Sequence, residues 1–148
     1  MSEQLQKLAK IAFASEFSFY LKAHQFHWNV EGSDFLQYHE LFGKIYEEVY
    51  SNIDDFAEKI RSMGVYMPGS YTRFSMLTQI EDEEQILPKD QMLKELYLDN
   101  EKMIVIFKKL FDLSESVGEH GFSDFIAGRM DAHRKHSWML RASMKDQL

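Results

Sequence analysis

Helical periodicity runs through almost the whole chain, and few residues interrupt it. Over residues 34–63, Phe35, Tyr38, Phe42, Ile45, Val49, Ile53, Phe56, Ile60 and Met63 recur at three- and four-residue steps, the spacing that lines one helix face. A run over residues 3–30 carries Phe13, Phe17, Tyr20, Leu21, His24, His27 and Trp28. A third begins near Pro88, a residue suited to a first helical turn, and uses Leu93, Leu96, Met103, Ile104, Phe107 and Leu110. The fourth begins near Ser123 with Ile126, Met130, His133, Ser137, Leu140 and Met144. The interruptions are Glu31-Gly32-Ser33, Gly64 with Pro68-Gly69-Ser70, and Gly118 with Gly121. Ser33 is the expected N-cap of the second helix, and Gly64 its expected stop.

Two short connections on either side of one long crossover constrain the topology. The crossover of roughly 24 residues holds a segment, 71–80, suited to a short helix, and connections this long are usually functional or interface-forming. The expected fold is all-α: a ferritin-like four-helix bundle with a long crossover between its second and third helices. Bundles of this kind commonly hold metal internally through Glu-x-x-His pairs, yet no glutamate here has a histidine three residues later. An intrabundle site is therefore not expected.

At 148 residues the chain makes a single domain, 1–148, large enough for a substantial core. A hydrophobic content of 45% excludes disorder, and zero cysteines exclude disulfides, cysteine-based zinc sites and thiol catalysis. No apolar run suits a membrane span. Met1 to Lys10 contains no secretory apolar segment, so a cytoplasmic location is expected. A net charge of -7 disfavours nonspecific binding to nucleic acid. Lys7 and Lys10, both expected within the first helix, and Lys145 beside Asp146 offer no basic tail for duplex DNA.

Four polar residues stand out against this background: His27, His39, Asp54 and Glu58. Two imidazoles and two carboxylates form a mixed N/O set that suits iron, with zinc as a competing ion. Asp54 and Glu58 are an i, i+4 pair on one helix face. His39 lies 15 residues earlier, about 22 Å away at 1.5 Å per residue, so no single ion touches both groups within one chain. His27 and His39 flank the first short turn and reach similar height. If the four are one site, two copies of the second helix lie antiparallel across a two-fold axis, and His39 of one chain meets Asp54 and Glu58 of the other. Read singly, a histidine on an apolar helix face is more often a hydrogen-bonded core residue than a ligand.

The string from His24 to Phe35 (His-Gln-Phe-His-Trp-Asn-Val-Glu-Gly-Ser-Asp-Phe), then His39-Glu40-Leu41-Phe42 and Asp54-Asp55-Phe56-Ala57-Glu58, resembles the Dps mini-ferritins. So does the segment Ala132 to Ala142. The resemblance covers essentially the whole chain. It implies a hollow homo-dodecamer built from two-fold dimers, binding Fe(II) between subunits. It further implies a ferroxidase that oxidises Fe(II) preferentially with hydrogen peroxide, stores ferric iron and protects against oxidative damage. It assigns His27 and His39 from one subunit and Asp54 and Glu58 from its neighbour as metal-binding and catalytic residues. By the same resemblance Trp28 intercepts oxidising equivalents, or is simply an interface aromatic. Glu119 and Asp124 are candidates for an acidic three-fold pore, or ordinary dipole-compensating acids. His24, His120, His133 and His136 are read as structural or surface groups.

One position departs from the family pattern. Where a carboxylate normally follows the second histidine by four residues, this chain has Gly43. The loss removes a ligand and opens space, with Glu47 and Glu40 as neighbouring substitutes. A weakened second metal position is expected, and Gly43→Asp is expected to tighten it with a small gain in stability. The alternative function is a cage of the same fold with weakened or lost ferroxidase activity, acting as a structural or DNA-protecting protein.

Overall fold

The computed structural model describes residues 2–145; Met1 and residues 146–148, which include the acid beside Lys145, lie outside the described residues. Six helices follow one another: α1 (Glu3–Asn29), α2 (Phe35–Ser51), α3 (Ile53–Ser62), α4 (Tyr71–Leu77), α5 (Lys89–Ser116) and α6 (His120–Ser143). No strand occurs among the described residues. α1, the α2–α3 run, α5 and α6 are the four long members of the expected ferritin-like bundle. None of the described helices is long and apolar enough to cross a membrane.

The α1 start is capped by Ser2, whose Oγ accepts from the Leu5 amide at 3.1 Å. The turn into α2 differs from expectation by one residue. Asp34, not Ser33, occupies the N-cap, in the left-handed region (φ 63°) and without a side-chain cap bond. So tight a reversal needs left-handed backbone at both Gly32 (φ 102°) and residue 34, and aspartate is among the few non-glycine residues that tolerate it.

The run expected as one helix over 34–63 is two. The break falls at Asn52, whose amide nitrogen donates to the Glu48 carbonyl and to Glu48 Oε2, both at 2.9 Å. That carbonyl is the acceptor an unbroken helix would offer to the Asn52 backbone N–H. The N–H turns to Val49 O instead, at 3.1 Å, and the helix resumes when Phe56 N bonds Asn52 O.

α5 ends in a Schellman turn. Gly118 (φ 81°) donates to Glu115 O at 3.1 Å, and Glu119 donates to Ser114 O at 2.9 Å. One glycine completes this reversal, so α6 starts at His120, three residues earlier than the sequence suggests, with Gly121 inside its first turn. The short helix of the crossover forms at Tyr71–Leu77, capped by Ser70 Oγ at 3.2 Å from Arg73 N. Phe74 anchors it on α1 by stacking on Phe17 at 4.8 Å.

The apolar core contains fully buried Phe19, Phe26, Phe42, Phe56 and Phe107 with Leu5, Ile45, Ile60, Leu93, Leu96 and Met103. At roughly 1.5–3 kcal/mol for each fully buried large apolar side chain, this packing is the main driving force for assembling the bundle. It includes a set of charges. Glu16, Lys22, Asp99, Arg129, His133 and His136 are all buried. Lys22 Nζ meets Asp99 Oδ2 at 2.7 Å and Glu95 Oε2 at 3.2 Å.

Candidate metal centre

His27 comes from the last turn of α1 and His39 from the second turn of α2, and the short hairpin between them brings their rings into a stack. Ring centroids are 3.8 Å apart and the planes are 18° from parallel. His27 Nδ1 donates to the His39 carbonyl and His39 Nδ1 donates to the His27 carbonyl, each at 2.7 Å. Because the carbonyls accept at Nδ1, each neutral ring keeps its lone pair at Nε2. Metal-ligating histidines are oriented this way by backbone acceptors.

Gly43 is part of this arrangement. A β-carbon at Gly43 would stand 3.1 Å from both Cε1 and Nδ1 of His27. The glycine does not leave open space, as the sequence suggested; the His27 ring occupies it. Around this pair, His24 stacks on Tyr46 at 3.7 Å and 8°, and the Tyr20 hydroxyl is hydrogen-bonded to His24 Nδ1 at 3.0 Å. Burial and the neighbouring His27 hold the His24 pKa below its usual range, against Glu47, which pulls it up. Trp28 lies over His24 at 4.1 Å with its indole mostly exposed.

Asp54 and Glu58 stand on α3, both exposed. Glu58 has its pKa raised by a hydrogen bond to Asp54 and by the charges of Asp54 and Asp55. Two carboxylates this close repel unless a proton or cation lies between them. One chain therefore brings His27 to His39, and Asp54 to Glu58, but leaves the pairs at opposite ends of the α2–α3 run. Among the described residues no group of three or more histidine, aspartate or glutamate side chains stands ready to hold an ion.

Glu40 and Glu47 are exposed on α2. At the start of α6, Asp124 is exposed and Glu119 half-buried. Sequence reading missed Glu115 here. Its carboxylate binds His120 Nδ1 at 2.9 Å and accepts from Ser123 Oγ, and these bonds, Ser123 first, lower its pKa.

It also missed a buried polar network at the bundle centre, in which His133 and His136, read as structural or surface groups, are buried structural members. His133 Nε2 lies 2.8 and 2.9 Å from the two Glu16 oxygens, and its Nδ1 lies 2.6 Å from Asn100 Oδ1. Arg129 Nη2 bridges Glu16 Oε2 at 3.1 Å and Glu48 Oε1 at 3.0 Å, while Nη1 donates to Glu48 Oε2. His136 Nε2 lies 2.8 Å from Glu48 Oε1, and its buried Nδ1 has no partner. Burial pushes the Glu48 carboxyl up, but bonds from His136 and Arg129 prevail and bring it to about 2. Glu16 is likewise lowered by His133 and Arg129 against its burial. The sequence signal was present: Arg129, His133 and His136 recur at helical spacing on the apolar face of α6.

Comparison with known proteins gives one answer. The family model described as the ferritin-like domain matches residues 5–147. A low temperature-induced protein of Nostoc sp. is 31% identical over 136 residues, covering 90% of this chain and 76% of its own. DNA protection during starvation protein 2 of Bacillus anthracis is 28% identical over 142 residues, covering 96% and 97%. The crystal structure of a Dps protein from Bacillus brevis superposes with a TM-score of 0.90 at 25% identity, covering 97% of this chain and 99% of that one. The sequence motifs, the bundle with its helical crossover and these matches converge: the chain belongs to the ferritin-like family, among its Dps mini-ferritins.

Proposed function

We propose that this protein is an iron-oxidising storage cage whose metal centre forms between two chains. The observation that carries the reading is the histidine stack. Reciprocal Nδ1–H bonds to carbonyls fix both rings and reserve both Nε2 atoms, while the matching carboxylates wait exposed on α3. A two-fold dimer with antiparallel α2–α3 runs unites them: His27 and His39 of one chain with Asp54 and Glu58 of the next. Exposed Leu21, Trp28 and Tyr50 supply apolar surface for such a contact. Assembly of dimers into a dodecamer would enclose the storage cavity, with Glu119 and Asp124 at an acidic iron entry.

Iron is the substrate and zinc its competitor. Carboxylate oxygens favour the harder Fe(III), and imidazoles select transition metals over Mg²⁺ and Ca²⁺. Two Fe(II) ions give one electron each to hydrogen peroxide, which takes up two protons and leaves as two water molecules. Both electrons passing at one centre keeps hydroxyl radical from escaping, and Trp28, beside His24, would intercept what does escape. Protection of DNA, the property named for the relatives, then follows from removing iron and peroxide, with no duplex-binding surface required. Lys7 and Lys10 lie within α1 and form no free basic arm.

Fe(II) titration with peroxide, followed by ferric absorbance alongside light scattering, tests this. A dodecamer that consumes two Fe(II) per peroxide, and loses this rate in His39→Ala, is expected. A stable monomer, or an unchanged rate in His39→Ala, refutes the reading. The same titration with equimolar Zn(II) should slow oxidation.

A further inference from the structure

Three residues a turn apart on α1 form a continuous aromatic column. Tyr20, His24 and Trp28 recur at i, i+4 and i+8, so one helix face carries all three. The Tyr20 hydroxyl lies 3.0 Å from His24 Nδ1, and the His24 and Trp28 ring centroids are 4.1 Å apart. α2 closes the column from the side. Tyr46 stacks flat on His24, with its ring 6.2 Å from Tyr20, and Tyr50 packs on Tyr20 at 4.9 Å.

The two ends of the column differ in exposure and in acidity. The Trp28 indole is mostly exposed, whereas Tyr20 is half-buried. Burial, then the neighbouring Tyr50 and Tyr46, raise the Tyr20 pKa, so the phenol keeps its proton at neutral pH. A protonated phenol yields an electron readily only when a base takes its proton in the same step, because the phenol radical cation is strongly acidic. A neutral imidazole protonated at Nε2 presents Nδ1 as that base.

We propose that Tyr20 is a redox-active tyrosine: an oxidised Trp28 indole recovers its electron from Tyr20 through the His24 ring, while the phenolic proton passes to His24 Nδ1. A strong one-electron oxidant takes the electron from Trp28 and is itself reduced. Trp28 is then restored, and the products are a neutral tyrosyl radical and an imidazolium. The indole is spared irreversible oxidation, and the unpaired electron moves from the surface to a ring enclosed by Tyr46 and Tyr50. No metal takes part in the step, so it stands or falls separately from the iron-oxidising reading.

The test is ultraviolet laser photoionisation of the full chain, prepared without metal and carrying Trp138→Phe, which leaves Trp28 as its one tryptophan. Light replaces the chemical oxidant, so access to the indole does not matter. Transient absorption should show the tryptophan radical decaying as a tyrosyl radical grows, and both should slow in D₂O. In Tyr20→Phe the tyrosyl growth should be lost and the tryptophan radical should persist. His24→Phe keeps a ring in the column without a base, and should lose the growth although Tyr20 is present. Tyr97→Phe, which removes a hydroxyl bonded to Glu101 on α5, should change nothing. The proposal is overturned if the parent shows no tyrosyl growth, or if that growth survives Tyr20→Phe or His24→Phe. Should His24→Phe not fold, the D₂O comparison in the parent decides the role of His24, and an unchanged rate there overturns it.

Discussion

The bundle centre and the α1–α2 surface use the same residue types to opposite ends. At the centre, Glu16 and His133 spend their side-chain polar atoms on protein partners. At the surface, His27 and His39 spend only Nδ1, and Asp54 and Glu58 have nothing but each other and solvent. A histidine or glutamate is thus available to a ligand according to which of its lone pairs the fold leaves free. Residue identity and burial do not decide it.

The sharpest way to break this comparison is to remove one partner from each region. Glu16→Ala leaves His133 Nε2 without an acceptor and Arg129 with Glu48 alone, and should cost about 3–5 kcal/mol in urea unfolding. Glu58→Ala, at an exposed position, should leave the unfolding midpoint where it is. Equal losses would mean that the two regions are not different in kind.

Metal affinity should sort the surface carboxylates in turn. Isothermal calorimetry with Zn(II) should show Asp54→Ala and Glu58→Ala weakened by about tenfold or more, corresponding to at least one full protein ligand. Glu47→Ala should change little. Abolition of binding by Glu47→Ala would make Glu47 the substitute for the missing carboxylate.

Acid should erode the centre in two stages. The His136 ring resists protonation because it is buried, against the pull of Glu48, so the unfolded chain takes up a proton first as pH falls through 6.5. Glu48 titrates at about 2 when folded and near 4.5 otherwise, so its contribution is complete above pH 4.5 and drains away as pH falls toward 2. Glu48→Gln should be less stable at neutral pH yet show a shallower decline between those values. A parallel decline in both proteins would remove Glu48 from the account.

The smallest effect is expected at Gly43. Alanine gains about 1 kcal/mol of helix propensity, but its β-carbon presses on His27 and on a hydrogen bond worth about 1 kcal/mol. Gly43→Ala should be nearly neutral in stability while weakening Zn(II) binding several-fold. Gly43→Asp brings its carboxylate only by displacing the His27 ring, which revises the stability gain the sequence suggested. A clear rise in stability, with affinity unchanged, would show that the ring moves freely.

Much of this was legible in the chain because it is local. Apolar spacing located the four long runs, and Pro88 marked a start that the structure keeps, as the N-cap of α5. The i, i+4 relation of Asp54 and Glu58, and the hairpin that levels His27 with His39, also follow from helix geometry alone. What escaped was set by contacts distant in sequence or by competition within one turn. The split at Asn52 depends on a side-chain amide outbidding its own backbone, and a hydrophobicity pattern does not register that. The central network escaped because no short motif joins Glu16 to Arg129. Gly43 was misread because the ring that fills its space comes from another helix.

The same network bears on how the chain reaches its fold. Glu16 pairs with residues 113 and 117 positions away, and Glu48 with partners 81 and 88 positions away. An α5–α6 hairpin alone would bury Arg129 and His133 with no carboxylate opposite, and an α1–α2 hairpin alone would bury Glu16 with no cation. Neither half can dehydrate its charges before the other arrives, so half-docked states are penalised and docking becomes all-or-none. A slip of one turn along any helix would leave the charges mismatched, and the network thereby sets the register that apolar packing alone would leave loose.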